Sequence, residues 1–73
     1  MDRECSEFYN INGWNICDKD KLRHIKTGEK YLIRYDARYD DFFAHEYEGN
    51  VVQAQGTHLA LIETEEFENI WED

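Results

Sequence analysis

Short runs of alternating apolar and polar residues dominate the chain, and they predict β-strands. The clearest case is a central hairpin. In its first arm, 29–35, Tyr31, Ile33 and Tyr35 alternate with Lys30, Leu32 and Arg34. Its second arm, 42–48, alternates in the same way after a polar connection over 36–41. Further strands are predicted at 7–11, 14–17, 51–54 and 58–63, and Asn12-Gly13 is expected to form a tight hairpin turn.

Two segments favour short helices. Asp18 is a suitable N-cap for a helix over 19–25, and Thr64 for a helix over 64–71 that carries Phe67, Ile70 and Trp71 on one stripe. We therefore predict one α+β domain over residues 1–73, with a small antiparallel sheet of four or five strands and one or two short helices.

Length and composition limit what such a domain contains. A chain of 73 residues buries a modest core, and an aromatic content of 15% is expected to supply much of it. No run of 18 apolar residues is present, and the N-terminus is polar and acidic, so we expect no membrane association and a cytoplasmic protein.

The cysteines and histidines form no recognisable reactive or metal-binding spacing. In a reducing compartment Cys5 and Cys17 are expected to be free thiols, with a disulfide between them as the open alternative. His24, His45 and His58 lack the spacing that places two ligands on one helical face. We predict no catalytic residue, no metal site and no cofactor.

Charge is distributed unevenly along the chain, whose net charge is −9. Residues 1–34 are close to neutral, whereas residues 35–73 hold eleven carboxylates and one base, Arg38. A one-signed field of this kind attracts basic partners and repels nucleic acid and anionic lipid. The rival interpretation is an acidic face that only keeps the protein in solution.

The acidic half predicts a partner-binding surface. Glu46 and Glu48 share one face of a strand about 6.6 Å apart, close to the spacing of phosphates along one nucleic-acid strand. Tyr39 and Phe42 are expected to act as aromatic anchors beside the carboxylates. The predicted contact residues are Asp36, Tyr39, Asp40, Asp41, Phe42, Glu46 and Glu48, with Glu65, Glu66 and Glu68 as a second group.

Two resemblances point in the same direction. The segments 28–33 and 43–50, followed by Thr57-His58, are similar in rhythm to small β-rich proteins encoded by phages, which implies a small sheet and a mobile-element origin. In size, acidity and lack of catalytic motifs, the chain resembles phage inhibitors of host nucleic-acid machinery, such as anti-CRISPR and anti-restriction proteins. The second resemblance is one of composition, so it assigns no site residue.

The favoured hypothesis is a non-catalytic protein that inhibits a basic nucleic-acid-binding partner by occupying its groove. Such binding weakens with salt, because it depends on pairing with Lys and Arg and on counterion release. The alternative is a generic interaction module or homodimer whose binding depends little on salt. Direct nucleic-acid binding is not expected.

Overall fold

Two antiparallel sheets make up the fold. The computed structural model describes residues 3–71. A two-stranded sheet pairs β1 with β2, and a six-stranded sheet has the order β6-β5-β4-β3-β8, with β7 also paired to β5. The strands are β1 (Cys5–Tyr9), β2 (Asn15–Cys17), β3 (Lys21–His24), β4 (Lys30–Asp36), β5 (Asp41–Glu48), β6 (Val51–Val52), β7 (Thr57–His58) and β8 (Phe67–Ile70).

The predicted α+β class is wrong, because the described residues contain no α-helix. Strands account for 51% of them and 3-10 turns for 9%. The two turns are Leu59–Leu61 and Thr64–Glu66. Eight strands replace the expected four or five, and the strand expected over 58–63 is reduced to Thr57–His58 followed by the first 3-10 turn.

The helix predicted over 19–25 is instead a turn followed by β3. Lys19 has a φ of +74°, in the left-handed region that interrupts a helix. The Asp20 carboxylate, which is 4% exposed, accepts a hydrogen bond from the Cys17 N–H at 2.9 Å and pairs with Arg3 at 2.9 Å. The acidic residues of this segment therefore stabilise a turn.

The helix predicted over 64–71 ends after one 3-10 turn. Phe67 is buried and begins β8, which lies antiparallel to β3 with Phe67 opposite His24. The backbone N–H and C=O groups of β8 form hydrogen bonds with β3, which is distant in the sequence. The local sequence therefore does not identify this partner.

The central hairpin is confirmed. In β4 and β5 the residue pairs include Ile33 with Ala44 and Arg34 with Phe43. Ile33 and Ala44 are buried, and their side of the sheet is called the inner face. Alternation places Arg34 and Phe43 on the opposite side, the outer face.

The core lies between the inner face and the small β1–β2 sheet. Ile16 of β2 packs into it, and Leu59 of the first 3-10 turn is also fully buried. The remaining buried members come from β3, β4, β5 and β8: Leu22, Ile33, Ala44 and Phe67. One residue from each of several short elements thus completes a single cluster.

A disulfide joins the two strands of the small sheet. Cys5 and Cys17 are directly opposite each other in β1 and β2, and their sulfurs are bonded. The expectation of free thiols is therefore wrong, and the alternative that the sequence left open is correct. The Asn12-Gly13 turn belongs to a wider loop, in which the Asn10 side-chain oxygen accepts hydrogen bonds from the N–H groups of Asn12 and Trp14.

Candidate functional site

Five carboxylates gather at one end of the molecule, around the turn between β4 and β5. Asp40, Glu4 and Asp36 all lie close enough to the Tyr35 hydroxyl to affect its ionisation. A cleft of about 400 Å³ separates Glu7 of β1 from Asp40 and Asp41. We call these residues the acidic tip: Glu4, Glu7, Asp36, Asp40 and Asp41.

The acidic side chains of the tip also shape its turn. The Arg38 N–H donates to the Asp36 carboxylate at 2.9 Å, and the Tyr39 N–H donates to the Asp36 carbonyl at 3.2 Å. Asp40 has a φ of +50°, a conformation that Asp tolerates better than most residues. The Tyr35 hydroxyl donates a hydrogen bond to the Asp40 carboxylate. The turn is therefore held in one conformation by the residues that give it charge.

Part of this charge is compensated locally. The Arg38 guanidinium binds Asp36 at 3.0 Å and lowers the pKa of that carboxyl. His58 Nδ1 donates to Asp41 at 2.7 Å, and this hydrogen bond lowers the pKa of Asp41. The other three tip carboxylates, Glu4, Glu7 and Asp40, form no ion pair within residues 3–71. The tip therefore carries more negative than positive charge among the described residues.

The Tyr35 phenol should titrate well above its usual range. Its hydrogen bond to Asp40, together with the nearby carboxylate charges, raises its pKa to about 12. Because the folded pKa exceeds the unfolded one, this group should contribute stability below about pH 10 and lose that contribution between pH 10 and 12.

Asp40→Asn should move the Tyr35 pKa back toward about 10, its ordinary value. The pKa is measured by NMR of tyrosine ring carbons during an alkaline titration. Tyr31 serves as the internal reference in the same spectra. Its pKa does not depend on Asp40, because it is raised by burial and by Glu29 and Glu46. A Tyr35 pKa unchanged by the substitution would contradict the assigned hydrogen bond.

The two predicted aromatic anchors have different surroundings. Tyr39 is 67% exposed, and its ring contacts Phe43 edge-on with a centroid distance of 6.1 Å. Phe42 is half-buried, packs against the core and lies 5.0 Å from the Tyr35 ring. Tyr39 is therefore the ring that the tip presents to solvent.

Glu46 and Glu48 do not belong to the acidic tip. They lie near the other end of β5 and, as the alternation predicted, share one face with each other. Both are exposed. The pKa of Tyr31 is raised mainly by burial, then by the charge of Glu29 and, to a smaller extent, by the charge of Glu46. These two carboxylates form a separate acidic site.

The second predicted group is largely paired within the protein. Glu68 binds Arg23 at 2.8 Å, and Glu66 binds Lys26 at 3.0 Å. Glu65 is exposed and has no such partner in the described part of the chain. Folding therefore brings acidic residues of the second half of the chain next to basic residues of the first half, because β8 pairs with the basic strand β3.

Sequence reasoning missed Glu4 and Glu7. Both were counted in the nearly neutral half, and their position beside Asp40 and Asp41 depends on β1 folding back onto β2. The signal that was present is the pair of cysteines, because a disulfide between Cys5 and Cys17 places β1 against β2.

Among residues 3–71, no group of three or more His, Cys, Asp or Glu side chains is arranged to hold a metal ion. No helix in that range is long and apolar enough to cross a membrane.

Comparison of the chain with protein-family models, with curated proteins and with solved structures finds no match. The function is therefore argued from the geometry and electrostatics of the acidic tip.

Proposed function

We propose that this chain is a non-catalytic binding protein that inhibits a nucleic-acid-binding partner by docking its acidic tip in the partner's basic groove. A CRISPR effector or a restriction nuclease has a groove of the required charge. The observation that carries the proposal is the gathering of five carboxylates, from residues 4–7 and from the β4–β5 connection, around the Tyr35 hydroxyl and the adjoining cleft. The same connection carries the exposed ring of Tyr39.

The geometry of the tip supports docking on a basic surface. Three of its carboxylates lack a cationic partner in the described residues, so they can accept charge-assisted hydrogen bonds from Arg or Lys at low desolvation cost. Tyr39 adds a rigid aromatic ring, a residue type that supplies much of the affinity in protein interfaces. The disulfide and the bonded turn hold the carboxylates in place before binding, which lowers the entropic cost of association.

A salt-dependent capture experiment tests the proposal. Tagged protein is used to retain partners from bacterial lysate at low and high salt, and the eluate is analysed by mass spectrometry. We expect a nucleic-acid-binding protein that elutes as the salt concentration rises. We further expect the purified partner to lose nucleic-acid binding when this protein is added.

Two matched double variants locate the binding face. Glu4→Lys with Glu7→Lys reverses the β1 side of the tip, and Glu46→Lys with Glu48→Lys makes the same change in charge at the separate site on β5. All four side chains are exposed, so the fold should tolerate both variants. The tip variant should weaken partner binding about tenfold or more at low salt, and the control variant much less.

The opposite ranking would move the binding face to Glu46 and Glu48. If neither variant changes the affinity and the captured partner resists salt, docking through carboxylates is wrong. Recovery of only further copies of this chain would favour the alternative, a homodimeric assembly module. Exposed apolar side chains such as Leu61 and Val51 are the feature that favours that alternative.

A further inference from the structure

A pocket of about 420 Å³ lies on the outer face, and residues of the β4–β5 turn form part of its lining. Its volume falls in the range of small-molecule sites. It borders the acidic tip at Asp36 but is built mainly from other residues. Arg34 comes from β4, Phe43 and His45 come from β5, and the segment after β6 contributes Gly56. We call this cavity the outer-face pocket.

Two arginines, Arg34 and Arg38, line the pocket, and Arg34 is the one that lacks a carboxylate partner among the described residues. Each of the other three arginines binds a carboxylate: Arg3 pairs with Asp20, Arg23 with Glu68 and Arg38 with Asp36. Arg34 is exposed, and no ion pair joins it to any carboxylate of the described chain. A planar guanidinium in this state can bind a phosphate through two parallel hydrogen bonds.

Aromatic rings form the apolar side of the pocket. Phe43 lies directly opposite Arg34 across the β4–β5 ladder. The Phe43 ring contacts the Tyr39 ring at 6.1 Å and the His58 ring at 4.6 Å between centroids. Rings held by such contacts offer a fixed surface on which a planar heterocycle can stack.

His45 places a hydrogen-bond acceptor in the wall. Its Nδ1 lies 2.9 Å from the Gln53 carbonyl oxygen. A carbonyl oxygen only accepts, so Nδ1 carries the hydrogen and Nε2 of the neutral ring is an acceptor. A Cβ at Gly56 would lie 2.7 Å from this Nε2 and 3.0 Å from the Phe43 Cβ, so only glycine lets the backbone at position 56 pack this closely against the two side chains.

We propose that the outer-face pocket binds a mononucleotide, with the phosphate on Arg34, the base against Phe43 and Tyr39, and a base N–H group donating to His45. A strongly acidic protein repels a long polyanion more than a single phosphate, so the ligand is a free nucleotide or the 5′-phosphorylated end of a strand. This inference does not depend on the proposed inhibitory function, because Arg34, Phe43 and His45 are not part of the acidic tip and only Tyr39 is common to both sets of contacts.

An NMR titration tests the inference. Adenosine 5′-monophosphate is added to the isotopically labelled full chain, and amide shifts are followed to saturation. We expect saturable shifts centred on Arg34, Phe43, His45 and Gly56. Adenosine and inorganic phosphate, added separately, should each bind more weakly, because each lacks half of the contacts.

Two arginine variants provide the decisive comparison. Arg34→Gln should weaken binding of the nucleotide about tenfold or more, since it removes the charge-assisted contact. Arg23→Gln makes the same change on the same face outside the pocket and should leave the affinity within about twofold of the unmodified protein. Both side chains are exposed, and the spectrum of each unliganded variant reports whether it is folded.

The inference is overturned if the nucleotide causes no saturable shifts, or if Arg34→Gln binds it as tightly as the unmodified chain does. A 5′-phosphorylated dinucleotide distinguishes the two sources of the ligand. Tighter binding than that of the mononucleotide assigns the end of a strand, and equal or weaker binding assigns a free nucleotide.

Discussion

Ile33→Ala should lower the free energy of unfolding by about 4 kcal/mol, within the range measured for truncating a fully buried aliphatic side chain. Ile33 is 0% exposed, belongs to the core cluster and lies opposite Ala44 in the β4–β5 ladder. Alanine at position 44 fills little volume, so the neighbouring strand cannot close the cavity. A domain of this size is expected to be stable by only about 7 kcal/mol. The loss would therefore remove more than half of its stability.

Urea unfolding followed by tryptophan fluorescence or circular dichroism measures the effect. Leu61→Ala is the matched control, because Leu61 is also a branched aliphatic residue but is 74% exposed. We expect the control to change the unfolding free energy by less than about 0.5 kcal/mol. Equal destabilisation by the two variants would contradict the burial of Ile33 in the core.

Loss of the disulfide should lower the free energy of unfolding by about 3 kcal/mol, because the bond closes a short loop in the unfolded chain. Cys5 and Cys17 are 12 positions apart, and the bond holds β1 against β2. The small sheet covers one side of the core through Ile16, so the effect should reach the cooperative unfolding of the whole domain.

The test uses a double variant that carries both Cys5→Ala and Cys17→Ala. Its unfolding is compared with that of the unmodified protein, before and after addition of a reductant. Reductant should destabilise the unmodified protein and leave the double variant unchanged. If reductant left the unfolding midpoint of the unmodified protein unchanged, that result would contradict a stabilising role for the bond.

The disulfide also bears on the environment of the protein. Such bonds persist in oxidising surroundings and are reduced in the cytosol. The sequence argument predicted a cytoplasmic protein and inferred free thiols from that location, whereas the structure has a disulfide. Location in the cytoplasm therefore stays a prediction, and the redox state of Cys5 and Cys17 in the cells that make the protein would test it.

Local patterns predicted the elements whose partners are close in the sequence. The hairpin of β4 and β5 was found because both arms alternate and a short turn joins them. The same reasoning failed for β3 and β8. The segments that contain Leu22 and Phe67 are short, and their apolar positions fit the 3.6-residue period of a helix as well as the two-residue period of a strand.

The choice between helix and strand there was made by pairing across the fold. Arg23 and Glu68 are partners in the ladder although 45 positions separate them. A backbone segment adopts the structure in which its N–H and C=O groups are satisfied, and for β3 that required both β4 and β8. No local pattern in the sequence contains this information.

The candidate site was predicted only in part, because the local sequence does not show which distant segments come together. Asp36, Asp40 and Asp41 are close in the sequence and lie together at the tip, as expected. Glu4 and Glu7 reached the tip only through the pairing of β1 with β2. Glu66 and Glu68 were predicted as contact residues, and each is bound to a cation of the chain.

The sequence by itself determined the net charge, the presence of a small antiparallel sheet and the faces of the central hairpin, because composition and period-two alternation are local properties. The tertiary structure alone decided the all-strand architecture, the bond between Cys5 and Cys17, and which carboxylates are left without a cation. Each of these depends on contacts between residues distant in the sequence. Strand pairing decides which charged side chains become neighbours, so the charge of the surface cannot be read from the order of residues along the chain.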